Sequence, residues 1–190
     1  MNIAFSEDGK KFVNDLDINI MDDIREILEY VPSKDITGLE KVYFIKNPPK
    51  KLTSSVNTVA TYHQFYNNKK AHIEIYLSNV ITYSDNLKVV NLLYPIFKYN
   101  LAQAIFHEIG HHIEKTRAHG IKKTSSENYA ITYSNGLLNL YTKNNSESLK
   151  SFIKKMNELS AKYADLSSLF DLFMGEIKSE KPLVENNIFK

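Results

Sequence analysis

An α+β fold, with a small mixed sheet followed by helices, is what this sequence predicts, and three features predict it. Strand-like runs are confined to the stretch between Val42 and Leu77. From Asn86 onward, apolar residues recur at helical spacing instead. Strands segregated before helices, rather than alternating with them, indicate α+β rather than a parallel α/β sheet.

Taken in order, Ile20, Ile24, Ile27 and Leu28 place apolar side chains on one face of a helix over Ile18 to Tyr30, and Val31-Pro32-Ser33 ends it. Val42-Tyr43-Phe44-Ile45 is apolar and rich in strand formers, closed by Asn47-Pro48-Pro49; Thr58 to Tyr62 is a second, weaker run. His72 to Leu77 alternates, with Ile73, Ile75 and Leu77 on one face and His72, Glu74 and Tyr76 on the other. Its polar face suits an edge strand, whose free backbone an extended peptide could pair with. Pro95 starts or kinks the next helix, which runs to about Arg117, where His119-Gly120 breaks it. A further helix spans about Thr124 to Tyr141. Leu149, Phe152, Ile153, Met156, Leu159, Tyr163, Leu166, Phe170 and Phe173 then form one stripe of a long amphipathic helix, about 146–178, read as core packing. The whole chain, 1–190, is read as a single domain with its core at about 39–142.

Composition narrows the function classes. A chain of 190 residues that is 43% hydrophobic can bury a real core. The formal charge of +2 argues against a nucleic-acid binder. Cysteine is absent, so any transition-metal site must use His, Asp or Glu. The first residues carry no run resembling a signal peptide, and nothing approaches ~18 consecutive apolar residues. The expectation is a soluble, cytoplasmic protein with no membrane partner.

Chemistry concentrates at His107-Glu108-Ile109-Gly110-His111. On a helix, residues four apart share a face, so both imidazoles can reach one zinc ion. Glu108 is too constrained to join that ion but is close enough to a water held there to take its proton. With six His in the chain, His-Glu-x-x-His should arise by chance in about one such chain per hundred. Apolar flanks, Ala104-Ile105-Phe106 and Ile109, bury the helix beneath the site. Gly110 costs a helix interior about 1 kcal/mol against Ala, which implies close packing at that point.

At these residues the sequence resembles the zincin metallopeptidases, and loosely so from Leu39 to Leu138. The resemblance implies a zincin-like domain that hydrolyses peptide bonds in a peptide or protein substrate, with Zn2+ as cofactor and Glu108 as general base. The metzincin continuation fails, because Glu114 and Arg117 stand where a Gly and a third ligand belong. The gluzincin type, whose third ligand is a Glu on the next helix, fits better: Glu127, sixteen residues beyond His111, with Ala130 a turn later. Two alternatives stand beside it. Thr124-Ser125-Ser126-Glu127 matches a capping box, and His119 is a rival ligand.

An oxyanion donor is also needed, for which Tyr129 and Tyr133 are the catalytic candidates, with Tyr62, His72 and His119 behind them. Asn128 or Ser134 could orient the ligating histidines. His112 points about 100° away from His111, and Glu114 is read as a solvated helix residue. The basic run Lys115, Arg117, His119, Lys122, Lys123 is read as a solvated loop. Three functions compete: a peptidase, a regulatory protein of the same fold acting on one specific protein partner, and a module in which zinc only staples helices. Glu108 argues against the last, since a structural site needs no base.

Overall fold

The computed structural model describes residues 1–16, 18–49, 58–66, 70–80, 93–117 and 123–160. It opens with two elements too short for periodicity to reveal. Strand β1, Asn2–Phe5, is followed at once by helix α1, Glu7–Asp15. Ser6 caps that helix by accepting the Gly9 N–H at 3.1 Å, and Glu7 and Asp8 in its first turn suit the helix dipole. Helix α2, Ile20–Glu29, buries Ile20, Ile24 and Ile27 as expected. A 3-10 turn, Ser33–Ile36, leads through Gly38, at φ 88°, into β2, Leu39–Ile45. Strands β3, Ala60–His63, and β4, Ala71–Tyr76, follow, and β4 passes directly into a short helix α3, Leu77–Val80.

These strands form one mixed, four-stranded sheet in the order β1-β2-β4-β3. β1 and β4 both pair parallel to β2, and β3 closes the sheet antiparallel to β4. The run from His72 to Tyr76 is therefore an interior strand, correcting its assignment to the edge. Its alternation is real: Ile73 and Ile75 are fully buried while His72 and Glu74 are partly exposed. Both of its flanks are hydrogen-bonded, and β3 takes the outer position. Tyr76, expected to face out, is completely buried, with its hydroxyl donating to Glu74 Oε2 at 3.0 Å. Leu77 belongs to α3 rather than to the strand.

Helix α4, Tyr94–Arg117, carries Pro95 in its first turn, where the missing N–H costs nothing. It packs against β3, β4, the 3-10 turn and α2. Lys98 Nζ pairs with Asp23 at 2.8 Å and Glu26 at 3.0 Å on α2. Buried residues surround α4 on nearly every side, from Ile96 to Glu114, as in a central core helix. Three polar residues are among them, Glu108, His112 and Glu114, so each needs a hydrogen-bond partner. Helix α5, Lys123–Asn144, crosses α4 at Gly110: an added Cβ there would stand 2.7 Å from Ala130 Cα. The close packing inferred for this glycine is thus present.

Contacts divide the chain into two compact units after Leu137. The first holds the sheet, α1 to α4 and the beginning of α5. In the second, helix α6, Ser146–Ser160, buries Leu149, Phe152, Ile153 and Met156, the first part of the predicted stripe. Tyr163, Leu166, Phe170 and Phe173 lie outside the described residues. Among the described residues no helix is long and apolar enough to cross a membrane.

Candidate metal centre

His107 and His111 lie one turn apart on α4, and their Nε2 atoms approach to 3.1 Å. Their rings meet edge to face, with centroids 4.7 Å apart. The crossing at Gly110 and Ala130 brings the N-terminal part of α5 over them. From there the Glu127 carboxylate lies 3.5 Å from each Nε2. One donor atom from each of the three residues falls within 4.8 Å of the others, a group able to hold a metal ion.

That placement sets Glu127 apart from a capping-box position. Helix α5 begins at Lys123, so Glu127 stands beyond its first turn, and its carboxylate is turned to the histidines rather than back to a cap. The rival ligand His119 lies outside the described residues.

Burial and the neighbouring His111 hold the His107 imidazole below its ordinary pKa, so it offers a lone pair at neutral pH. His111 is oriented by a chain of bonds that the sequence reading missed. Its Nδ1 lies 3.4 Å from Ser126 Oγ, and the Ser126 hydroxyl donates to Glu114 Oε2 at 2.8 Å. Serine has one proton to give. With that proton directed at Glu114, Ser126 must accept from Nδ1–H, which leaves Nε2 of His111 with its lone pair toward His107 and Glu127.

Glu114 is therefore no solvated residue. It is 2% exposed, and Lys115 lies 3.0 Å away. Burial alone would raise its pKa, but the bonds from Lys115 and Ser126 outweigh it and hold the carboxyl below its usual value. Of Asn128 and Ser134, which could have oriented the histidines, Ser134 donates to the Gln103 carbonyl and Asn128 is exposed. The missed signal was positional, since Glu114 follows His111 by three residues and Ser126 directly precedes Glu127.

Glu108 is buried beside this group and accepts the backbone N–H of Tyr62 on the edge strand β3. Burial pushes its carboxyl up to about 7 against that hydrogen bond, and the Glu127 charge adds to the rise. A cation beside it would reverse the balance in favour of the carboxylate. Tyr62 contributes a second tie through its hydroxyl, 3.1 Å from His112 Nδ1. His112 Nε2 lies 3.0 Å from the Thr37 carbonyl, so this nitrogen donates and Nδ1 accepts from Tyr62. His112, almost fully buried, thus joins α4 to the edge strand and to the 3-10 turn.

Both tyrosine candidates lie on α5. Tyr133 donates its hydroxyl to Asp35 Oδ2 at 2.9 Å, and Arg117 holds Oδ1 of the same buried carboxylate at 2.8 Å. Tyr129 lies two residues beyond Glu127, a displacement that turns it to another side of the helix, and it is exposed. Of the remaining candidates, Tyr62 is tied to His112, and His72 belongs to a separate group with His63 and Glu74.

Comparison of the chain with protein-family models, with curated proteins and with solved structures found no match.

Proposed function

We propose that this chain is a zinc-dependent metallopeptidase of zincin type, with His107, His111 and Glu127 as ligands in the gluzincin manner and Glu108 as general base. One observation carries the reading. Tetrahedral zinc at about 2.0–2.1 Å from each donor sets donor separations of roughly 3.3–3.5 Å. Here the two Nε2 atoms are 3.1 Å apart, and the Glu127 carboxylate reaches each at 3.5 Å through a different oxygen, Oε2 to His107 and Oε1 to His111. Two imidazoles and one carboxylate also match the three protein ligands of catalytic zinc, which keeps its fourth position open.

A zinc ion held there supplies a Lewis acid that acidifies water and polarises a peptide carbonyl. The residues of the chain do the rest. Glu108, held by the Tyr62 N–H, takes the proton of the attacking water and passes it to the departing amine. Ser126 and Glu114 keep the His111 lone pair aimed at the ion. The outer side of β3, rather than β4, is the sheet edge along which an extended substrate would pair, beside Glu108.

Two substitutions test the ligand set. Glu127→Gln keeps the size of the side chain but replaces an anionic donor by a neutral one. Zinc affinity should fall by more than the roughly 10–100-fold typical of losing an outer partner, with helix content by circular dichroism unchanged. Unaltered affinity would remove Glu127 from the ligand set. Ser126→Ala, which frees His111 to change tautomer and removes a hydrogen bond from Glu114, should weaken zinc by about tenfold. An effect of Ser126→Ala as large as that of Glu127→Gln would show that the relay had been misjudged. Both are read by competition titration against a chromogenic chelator.

A further inference from the structure

We infer that His63, His72 and Glu74 form a second site for a divalent transition-metal ion, clamping the edge strand that holds Glu108. The three residues come from the antiparallel pair β3 and β4, where His63 lies directly opposite His72. Glu74, two residues further along β4, projects from the same face. Their donor atoms lie within 4.8 Å of one another. His63 Nε2 is 3.1 Å from Glu74 Oε2, and His72 Nε2 is 3.7 Å from Oε1.

The local bonding favours a cation at this point. His63 Nε2 is buried and makes no hydrogen bond, although the Glu74 carboxylate is 3.1 Å away. A buried nitrogen without a partner is costly, and an ion shared with the carboxylate removes that cost. Tyr76 donates to Glu74 Oε2 and His72 Nδ1 lies 3.2 Å from the Lys70 carbonyl. The second contact makes Nδ1 the donor and leaves Nε2 of His72 its lone pair, as a metal-binding histidine requires. The two rings stack at 4.6 Å and 11°. Ligation therefore needs one ring to swing off the stack, and His63, with a side chain 40% exposed, has room to do so.

Two imidazoles and a carboxylate without thiolate suit Zn2+ and its first-row neighbours rather than Ca2+ or Mg2+. The consequence reaches the first site through one residue. His63 is adjacent to Tyr62, whose N–H holds Glu108 and whose hydroxyl holds His112. An ion joining His63 to His72 and Glu74 fastens β3 to β4 at that position, so metal at the second site stiffens the strand that positions the base.

The test uses the full chain and Zn2+ alone. In His107→Ala/His111→Ala, calorimetric titration should still show one zinc per chain, and Tm should rise by about 5 °C at zinc roughly a hundredfold above Kd. Adding His63→Gln and His72→Gln should abolish both effects. In the otherwise unchanged chain, the His63→Gln/His72→Gln pair should lower saturating stoichiometry from two to one, which keeps the test valid should the quadruple variant not fold. No zinc bound by folded His107→Ala/His111→Ala, or a stoichiometry indifferent to loss of His63 and His72, would overturn the second site.

Discussion

Glu108→Gln should lower kcat for peptide hydrolysis by about 10²- to 10⁴-fold, the span over which a positioned general base contributes. The variant should retain its zinc, because Glu108 is not among the three residues whose donors converge. Glutamine preserves the packing of this 7%-exposed position, and its carbonyl can still accept the Tyr62 N–H. What it lacks is a carboxylate to receive the proton. The measurement pairs kcat on an unstructured, fluorescence-quenched peptide with metal analysis of the same sample. Undiminished kcat with zinc in place would sink the proposed mechanism. Joint loss of zinc and activity would instead place Glu108 among the ligands.

Gly110→Ala should destabilise the protein and weaken zinc together, although alanine is the better helix former. Propensity favours the exchange by about 1 kcal/mol. Against it, the new Cβ would meet Ala130 Cα at 2.7 Å and the Ala130 carbonyl oxygen at 3.1 Å. Both are backbone atoms of a neighbouring helix, which can yield only by moving α5 bodily, and overpacking of this kind costs about 1–3 kcal/mol. The clash therefore wins. The shift of α5 carries Glu127 away from His107 and His111, so zinc affinity should fall by about tenfold or more. Gly136→Ala, also in α5, is the matched control. An added Cβ there meets nothing within 4 Å, so the propensity gain should stand and raise Tm by about 2–4 °C. If Gly110→Ala raises Tm as Gly136→Ala does, the two helices do not cross as described.

The contrast between these two glycines shows where sequence reading succeeds. The helix carrying His107 and His111 and its start near Pro95 were legible, because the 3.6-residue period and proline stereochemistry are properties of the local backbone; the expected break at His119-Gly120 lies outside the described residues. Gly110 stood out for a related reason: a residue that weakens a helix implies a compensating contact. Gly136, which looks the same in the sequence, has no such contact.

What escaped were decisions taken between segments distant in sequence. Alternation showed correctly that His72 and Glu74 share a face, yet it could not rank β4 within the sheet. That rank depends on which strands pair on either side, and here β2 and β3 occupy both. The usual exposure of its residue type points Glu114 to solvent; burial by its neighbours and the Ser126 hydroxyl override that tendency. His112 was correctly turned away from His111, but its bonds to Tyr62 and Thr37 span 50 and 75 residues and leave no periodic trace.

By itself, then, the sequence determined which residues could do chemistry: a pair of histidines on one helical face with a carboxylate between them, in a chain without cysteine. Only the tertiary structure decided how those residues are placed. The position of Glu127 beside His107 and His111 rests on where α5 crosses α4. The hold on Glu108 rests on Tyr62, from a strand more than forty residues earlier in the sequence. Helical period is set by the bonds of neighbouring residues and can be read along the chain, whereas crossings and strand order are set by shape and burial among segments that meet only after folding.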